Sequence, residues 1–214
     1  MVVGLGGTLH ELLGDIDIYL VDQLLRGRLA PGMRVLDAGC GRGRNLEYLM
    51  RAGYDVFGSD QSSAAVDAVQ RMARQHAPEL PLENFRVEPV ERSSFDAQSF
   101  DFVISSAVLH FARDEAHFHA MVDEMWRLLR PGGTLFARLA STIGMPLEAF
   151  RPLGDRRFVM PDGSERFLVD EDMLMAATGR IGGALLDPLK TTVVQNARCM
   201  TTWVVRSVAA GKPL

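Results

Sequence analysis

The chain has 214 residues, 47% of them hydrophobic, and a net charge of −4. That length suits one domain with a sizeable core, and the acidic balance argues against a broad nucleic-acid-binding face. No apolar run approaches the roughly 20 residues of a membrane-spanning helix, and the N-terminus lacks the pattern of a signal peptide. The two cysteines, Cys40 and Cys199, are too few for a disulfide framework or a metal site, so a reducing cytoplasm is the expected setting.

In chain order, the first expected element is a helix from about Asp15 to Leu29, with Ile16, Tyr19 and Leu20 spaced along one side. Met33 to Asn45 then reads Met-Arg-Val-Leu-Asp-Ala-Gly-Cys-Gly-Arg-Gly-Arg-Asn: an apolar strand, an acid, and glycines at every second position. Without Cβ atoms, Gly39, Gly41 and Gly43 let the backbone come close to a ligand. A helix through Arg51 follows, with Leu46, Leu49 and Met50 on one side. Strand, glycine turn and helix in that order open a nucleotide-binding βαβ unit.

The spacing separates the ligand classes that use such a unit. A P-loop needs a lysine and a hydroxyl residue after its last glycine, and neither is present. A dinucleotide fingerprint needs a glycine at position 44, where arginine stands. The acid at position 37 would repel a pyrophosphate and attract a ligand carrying an ammonium and a sulfonium. S-adenosylmethionine carries both, and Val35-Leu-Asp-Ala-Gly-Cys-Gly-Arg-Gly resembles the first motif of the class I S-adenosylmethionine-dependent methyltransferases.

The elements that follow keep the order of that family. Tyr54 to Asp60 reads as a second strand, ending in an acid about 20 residues after the first glycine, the distance at which a βαβ unit meets ribose hydroxyls. Ser62 to Ala77 is an amphipathic helix with Ala65, Val69, Met72 and Ala73 at helical spacing, and Asn84 to Val87 is a short third strand. In the family the next loop carries an aspartate for the adenine amino group. Glu88-Pro-Val-Glu stands there instead, leaving the main chain of Val90 or the side chain of Glu91 for that contact. Phe100 to Ser105 is a fourth strand, and Ser105-Ser-Ala-Val-Leu-His-Phe resembles the family's fourth motif. A helix from Asp114 to Arg130, a Pro-Gly-Gly stop and a fifth strand from Thr134 to Ala140 complete the likeness, which covers residues 33 to 140.

Alternating strands and helices predict an α/β fold: a doubly wound, Rossmann-like sheet with ligands at the strands' C-terminal ends and helices on both faces. The resemblance makes it seven-stranded and mostly parallel, with an antiparallel last strand. It also implies that Asp37, Gly39, Cys40, Gly41, Asp60, Gln61, Val90, Glu91, Ser105 and Ser106 contact S-adenosyl-L-methionine. The expected organisation is a single domain: a helical cap over residues 1–30, a cofactor half over 31–140, and a substrate-shaping region over 141–214. In the cap, Tyr19, Asp22 or Arg26 could close over the methionine part, with simple packing as the alternative.

Beyond Ser141, Arg156 to Val169 reads as a β-hairpin around Pro-Asp-Gly. Asp170 caps a helix, a sixth strand lies around Ala184 to Leu189, and Cys199 to Arg206 is the antiparallel seventh. Arg138, Arg151, Arg156, Arg157 and Arg166 gather in this acidic chain and could bind an anionic acceptor, the alternative being scattered surface charges.

His110, just after the fourth strand, is the candidate catalytic base, although such a histidine often only lines the pocket. His117 and His119, two apart on a helix, point to different sides and make no chelating pair. The Gly-Arg-Asn and Gly-Tyr-Asp-Val strings are similar to the tellurite-resistance and thiopurine methyltransferase branch. The reading is methyl transfer to a small-molecule acceptor by direct in-line displacement, without nucleic-acid or membrane partners. A non-catalytic S-adenosylmethionine or S-adenosylhomocysteine binder and a nicotinamide oxidoreductase are the alternatives.

Overall fold

A computed structural model of the chain describes residues 8–195 and 197–207. Two short helices come first, α1 (Leu9–Leu13) and α2 (Ile18–Leu25). The cofactor half then alternates as expected: β1 (Arg34–Ala38), α3 (Leu46–Arg51), β2 (Asp55–Asp60), α4 (Ser63–His76), β3 (Phe85–Val87), β4 (Phe100–Ser106), α5 (Glu115–Leu128) and β5 (Leu129–Ala140). The remainder is β6 (Arg151–Gly154), β7 (Arg157–Val159), β8 (Glu165–Phe167), α6 (Glu171–Arg180), β9 (Gly183–Leu185), β10 (Lys190–Val194) and β11 (Arg198–Ser207).

The main sheet runs β10-β11-β5-β4-β1-β2-β3, with β9 also paired to β11. β1 through β5 pair in parallel, and β11 runs antiparallel between β5 and its outer neighbours. The sixth strand position is longer than expected and broken in two. β9 pairs with residues 205–207 of β11 and β10 with residues 198–202, so Leu186 to Leu189 form a bulge between them. Asp187 turns inward from that bulge, where Arg28 donates to it at 2.6 Å and Gln23 at 3.1 Å.

Helix starts follow local chemistry. Ser62, Asp114 and Asp170 cap α4, α5 and α6 by accepting from backbone amides three residues on. The central strands are buried on both faces and read as continuous apolar runs, such as Phe102-Val103-Ile104. Their side chains alternate. Leu36, Val103, Leu135 and Trp203 pack toward α5 and α6, while Val35, Phe102, Ile104, Phe136 and Val204 pack toward α2, α3 and α4.

The second of these faces ends in a polar row. Register places Ser106 beside Arg138, Arg138 beside Thr202, and Thr202 beside Lys190, across four strands. Helix α2 lies over this row. Its cap residue Asp17 accepts from Ser106 at 3.1 Å, Tyr19 bonds Thr192, and Asp22 takes Lys190 at 2.9 Å.

Three further elements differ from the expectation. The helix expected from about Asp15 to Leu29 covers only Ile18–Leu25, and an additional short helix, α1, precedes it and ends at Gly14, φ +61. β5 starts at Leu129, with the Pro-Gly-Gly segment forming an irregularity inside it. The hairpin β7–β8 forms as expected, but β6 joins it as a third antiparallel strand through a turn whose Asp155 and Arg156 both have positive φ. Among the described residues, no helix is long and apolar enough to cross a membrane, and no cluster of ligating side chains is built to hold a metal ion.

Candidate active site

The site grows from the glycine turn at the C-terminal end of β1. Gly39 and Cys40 donate to the carbonyl of Ser59 at 2.8 and 2.9 Å, which fastens the turn to the end of β2. Gly39, Gly41 and Gly43 all have positive φ, at +81, +52 and +84°. A Cβ on Gly39 would lie 2.5 Å from Val108 Cγ2. Gly41 faces open space instead, with no atom within 4 Å of where its Cβ would stand. Replacing Gly39 with alanine therefore combines a strained backbone with overpacking, and an expected loss of about 2–5 kcal/mol in chemical denaturation. A wild-type unfolding midpoint in that variant would show the close approach to be unimportant.

Asp60 ends β2 with both carboxylate oxygens anchored. Gly41 N–H donates to Oδ2 and Ser62 N–H to Oδ1, each at 2.9 Å. A carboxylate oxygen has two acceptor sites, so each oxygen keeps capacity for one more bond, and Asp60 lines the cavity described next. The cap of α4 is Ser62, which leaves Asp60 to the turn and the cavity.

The cavity in front of the turn has a volume of about 640 Å³, within the range of small-molecule sites. Gly39, Cys40, Gly41, Asp60, Gln61, Val90, Glu91 and Ser106 line it, and so do Arg44, Val108, Phe111, Arg113 and His117, which the sequence reading had not placed among the cofactor residues. Ser105 does not. Adjacent residues of a strand face opposite ways, so Ser106 reaches the cavity and Ser105 is fully buried on the other face. Ala107 follows in the left-handed region, φ +63°, turning the chain along the cavity wall. Glu88 turns away to accept from Ser93 and Ser94, while Glu91 stands 3.1 Å from His117 Nε2.

Asp37 lies behind the turn, 1% exposed, and neither oxygen has a hydrogen-bond partner among the described residues. Burial pushes its carboxyl up to about 7, against the opposing pull of Arg44 and Asn45. A buried unpartnered carboxylate beside a cradle of open backbone suits a cationic ligand.

Sequence reasoning missed Asp17. It is 3% exposed and gathers Ser106, Arg44 at 3.3 Å and Arg138 at 3.5 Å beside the cavity. Asp22 and Arg26, its neighbours in the expected cap, face Lys190 and Asp187 at the sheet edge instead. Tyr19 stacks under the Arg138 guanidinium, 5.0 Å from its ring centre. A polar residue before a helix signals a cap, but nothing local in the sequence ties it to residues 44, 106 and 138.

His110 does not line this cavity. It is 6% exposed, and its Nδ1 accepts from Ala140 N at 3.2 Å. Burial, aided by the Arg166 charge, lowers its basicity to about 4. The neutral ring therefore carries its proton on Nε2 and has no free lone pair for a substrate proton. Replacing His110 with glutamine is expected to leave kcat within about tenfold of wild type, whereas losing a general base costs roughly 10²–10⁴-fold. Steady-state kinetics decide between the two.

Of the arginines gathered in sequence, Arg157 and Arg166 stay together on β7 and β8 while the others disperse in space. Arg156 pairs with Asp170 at 2.8 Å, Arg157 with Glu165 at 2.6 Å, and Arg151 is exposed on β6. Arg138 joins the Asp17 network, and Arg166 lies 4.8 Å over the Phe111 ring.

Residues 36–137 match the family described as methyltransferase domain. A ubiquinone biosynthesis O-methyltransferase of Methylocella silvestris is 32% identical over 193 residues, which is 80% of this chain and 70% of that one. The chain belongs to the class I S-adenosylmethionine-dependent methyltransferases. A second ubiquinone biosynthesis O-methyltransferase, from Brucella anthropi, is 30% identical and is spanned over 64% of its length, against 75% of this chain. An S-adenosylmethionine-dependent methyltransferase structure from Methanosarcina mazei shares the fold, with a TM-score of 0.70, 21% identity, and coverage of 87% of this chain and 97% of that one.

This methyltransferase is thus an enzyme whose cofactor is S-adenosyl-L-methionine. The non-catalytic and nicotinamide alternatives fall away. The likeness to the tellurite-resistance and thiopurine branch finds no counterpart in the names of these relatives. The cavity fits the cofactor on its own terms: open space at Gly41, an anchored acid at Asp60 and an unpartnered Asp37.

Proposed function

We propose that this methyltransferase transfers the methyl group of S-adenosylmethionine to an oxygen of a small hydroxylated, aromatic acceptor. The observation that carries the reading is the cavity's continuity: beyond the turn and Asp60 it runs on along Ala107, Val108 and the exposed ring of Phe111. A relative named as an O-methyltransferase adds oxygen as the accepting atom.

In this reading Asp60 takes the ribose hydroxyls and the turn backbone packs against the nucleoside. Val90 and Glu91, the latter beside His117, meet the adenine, and Arg44 with Ser106 meets the methionine end. When bound, the cofactor supplies a methyl group already activated by its sulfonium. The protein's contribution is then orientation of the acceptor oxygen, which can supply roughly 7–11 kcal/mol, together with water exclusion by Val108 and Phe111. His110 holds the loop from inside rather than taking a proton.

The test is incubation with methyl-labelled cofactor and three ring acceptors: a catechol, the matching aniline and the matching thiophenol. Label on the catechol oxygen alone is the expected result. Label on the aniline or thiophenol and not the catechol would overturn the oxygen assignment.

A further inference from the structure

A second, smaller cavity of about 160 Å³ adjoins the main one. The two share Phe111 and Arg113 in their walls, so the small one is an annex lying beside the proposed acceptor end. At about 30 Å³ per water it holds a charged group of a few heavy atoms with its hydration, and not a second ring system.

Its walls offer donors. Arg113 and Arg166 line it, and neither forms an ion pair among the described residues. Arg113 is exposed, and its backbone N–H, not its guanidinium, serves His117. Arg166 spends one nitrogen on the Glu165 carbonyl at 2.6 Å and lies over Phe111. Arg157 lines the annex too, and the carboxylate on the same wall, Glu165, is held by it at 2.6 Å. From beneath, buried His110 contributes its Nε2–H, because Nδ1 is committed to Ala140. Three arginines, one acid and a fixed imidazole donor leave the annex cationic in an otherwise acidic protein.

We infer that this annex binds a carboxylate carried by the acceptor, with the acceptor's ring crossing Phe111 toward the glycine turn. Guanidinium forks and an imidazole N–H match the oxygen geometry of a carboxylate, and the Phe111 face suits the ring attached to it. The assignment rests on the proposed acceptor site. It makes His110 a positioning residue for the substrate's anionic end and makes Arg113 and Arg166 determinants of specificity.

The test uses the full chain saturated with S-adenosylhomocysteine, titrated with benzoate and with benzamide, its neutral counterpart. Ring signals of His110 are followed by NMR, identified by their loss in His110→Gln. Benzoate is expected to shift them saturably and benzamide to leave them in place. Arg166→Ala is expected to weaken benzoate roughly tenfold or more while S-adenosylhomocysteine affinity stays within about threefold. No benzoate shift with S-adenosylhomocysteine bound, equal shifts from both probes, or an unchanged benzoate affinity in Arg166→Ala would each overturn the inference. A protein that binds benzoate in the annex yet labels no hydroxyl acceptor keeps this inference and overturns the oxygen assignment.

Discussion

An Asp60→Ala variant is expected to bind S-adenosylmethionine about 10²- to 10⁴-fold more weakly than wild type. Two charge-assisted hydrogen bonds to a ribose diol contribute roughly 1.5–3 kcal/mol each, and each 1.4 kcal/mol is a factor of ten in affinity. The variant also releases Gly41 N–H and Ser62 N–H, which Asp60 holds at 2.9 Å, so the turn loses its anchor along with the ligand contact. Calorimetry on the wild type and the variant measures the difference. Binding within threefold of wild type would remove Asp60 from the site.

Asp37→Asn should act in two opposite directions. The folded protein raises this carboxyl from 3.8 to about 7, so the native state holds a proton that the unfolded chain has already lost across that interval. Stability therefore falls as pH rises from 3.8 to 7, and the full penalty is present above 7. At about 1.36 kcal/mol per unit the ceiling is roughly 4 kcal/mol, from which a buried, unpartnered amide takes back about 1–3. The asparagine variant is thus expected to melt several degrees higher than wild type at pH 8, at about 2–4 °C per kcal/mol, with the difference shrinking and then reversing as pH falls toward 4. His110 runs the other way. Its folded value of about 4 lies below the ordinary 6.5, so its stabilising contribution is present above 6.5 and disappears as pH falls to 4.

The cofactor should see the same substitution as a loss. Without the Asp37 charge, the variant is expected to bind S-adenosylmethionine at least tenfold more weakly, because an ammonium and a sulfonium no longer meet a carboxylate behind the turn. Melting curves across pH, paired with calorimetry at pH 8, check both halves. A variant that is neither stabilised at pH 8 nor weaker for the cofactor would show that Asp37 is not a strained buried charge.

What the sequence discloses here is what local spacing controls. The glycine turn, Asp60 at the end of β2, the Ser62 cap and the β7–β8 hairpin each depend on residues within about twenty positions, and each is legible. Ser105 and Ser106 were both expected at the cofactor because the fourth motif begins with them, and only the alternation of β4 decides that Ser106 alone reaches the cavity. His110 was expected as a base from its position after a strand. Its direction is set by Ala140, thirty residues away, and its environment by Arg166, fifty-six away. Asp17 is the largest omission, since a cap residue gives no local sign of the three elements it gathers.

The broken sixth strand bears on how the molecule avoids sticking to itself. An open sheet offers unpaired amides and carbonyls along its outermost strands, and a long, flat margin is a template for strands of other chains. At one margin β3 has only three residues. At the other, the bulge at Leu186 to Leu189 interrupts the ladder, exposed Pro188 has no N–H to give, and the charge of Lys190 stands at the start of β10. The inward turn of Asp187 that fastens α2 thus also leaves neither margin of the sheet with a long, straight, apolar strand to lend.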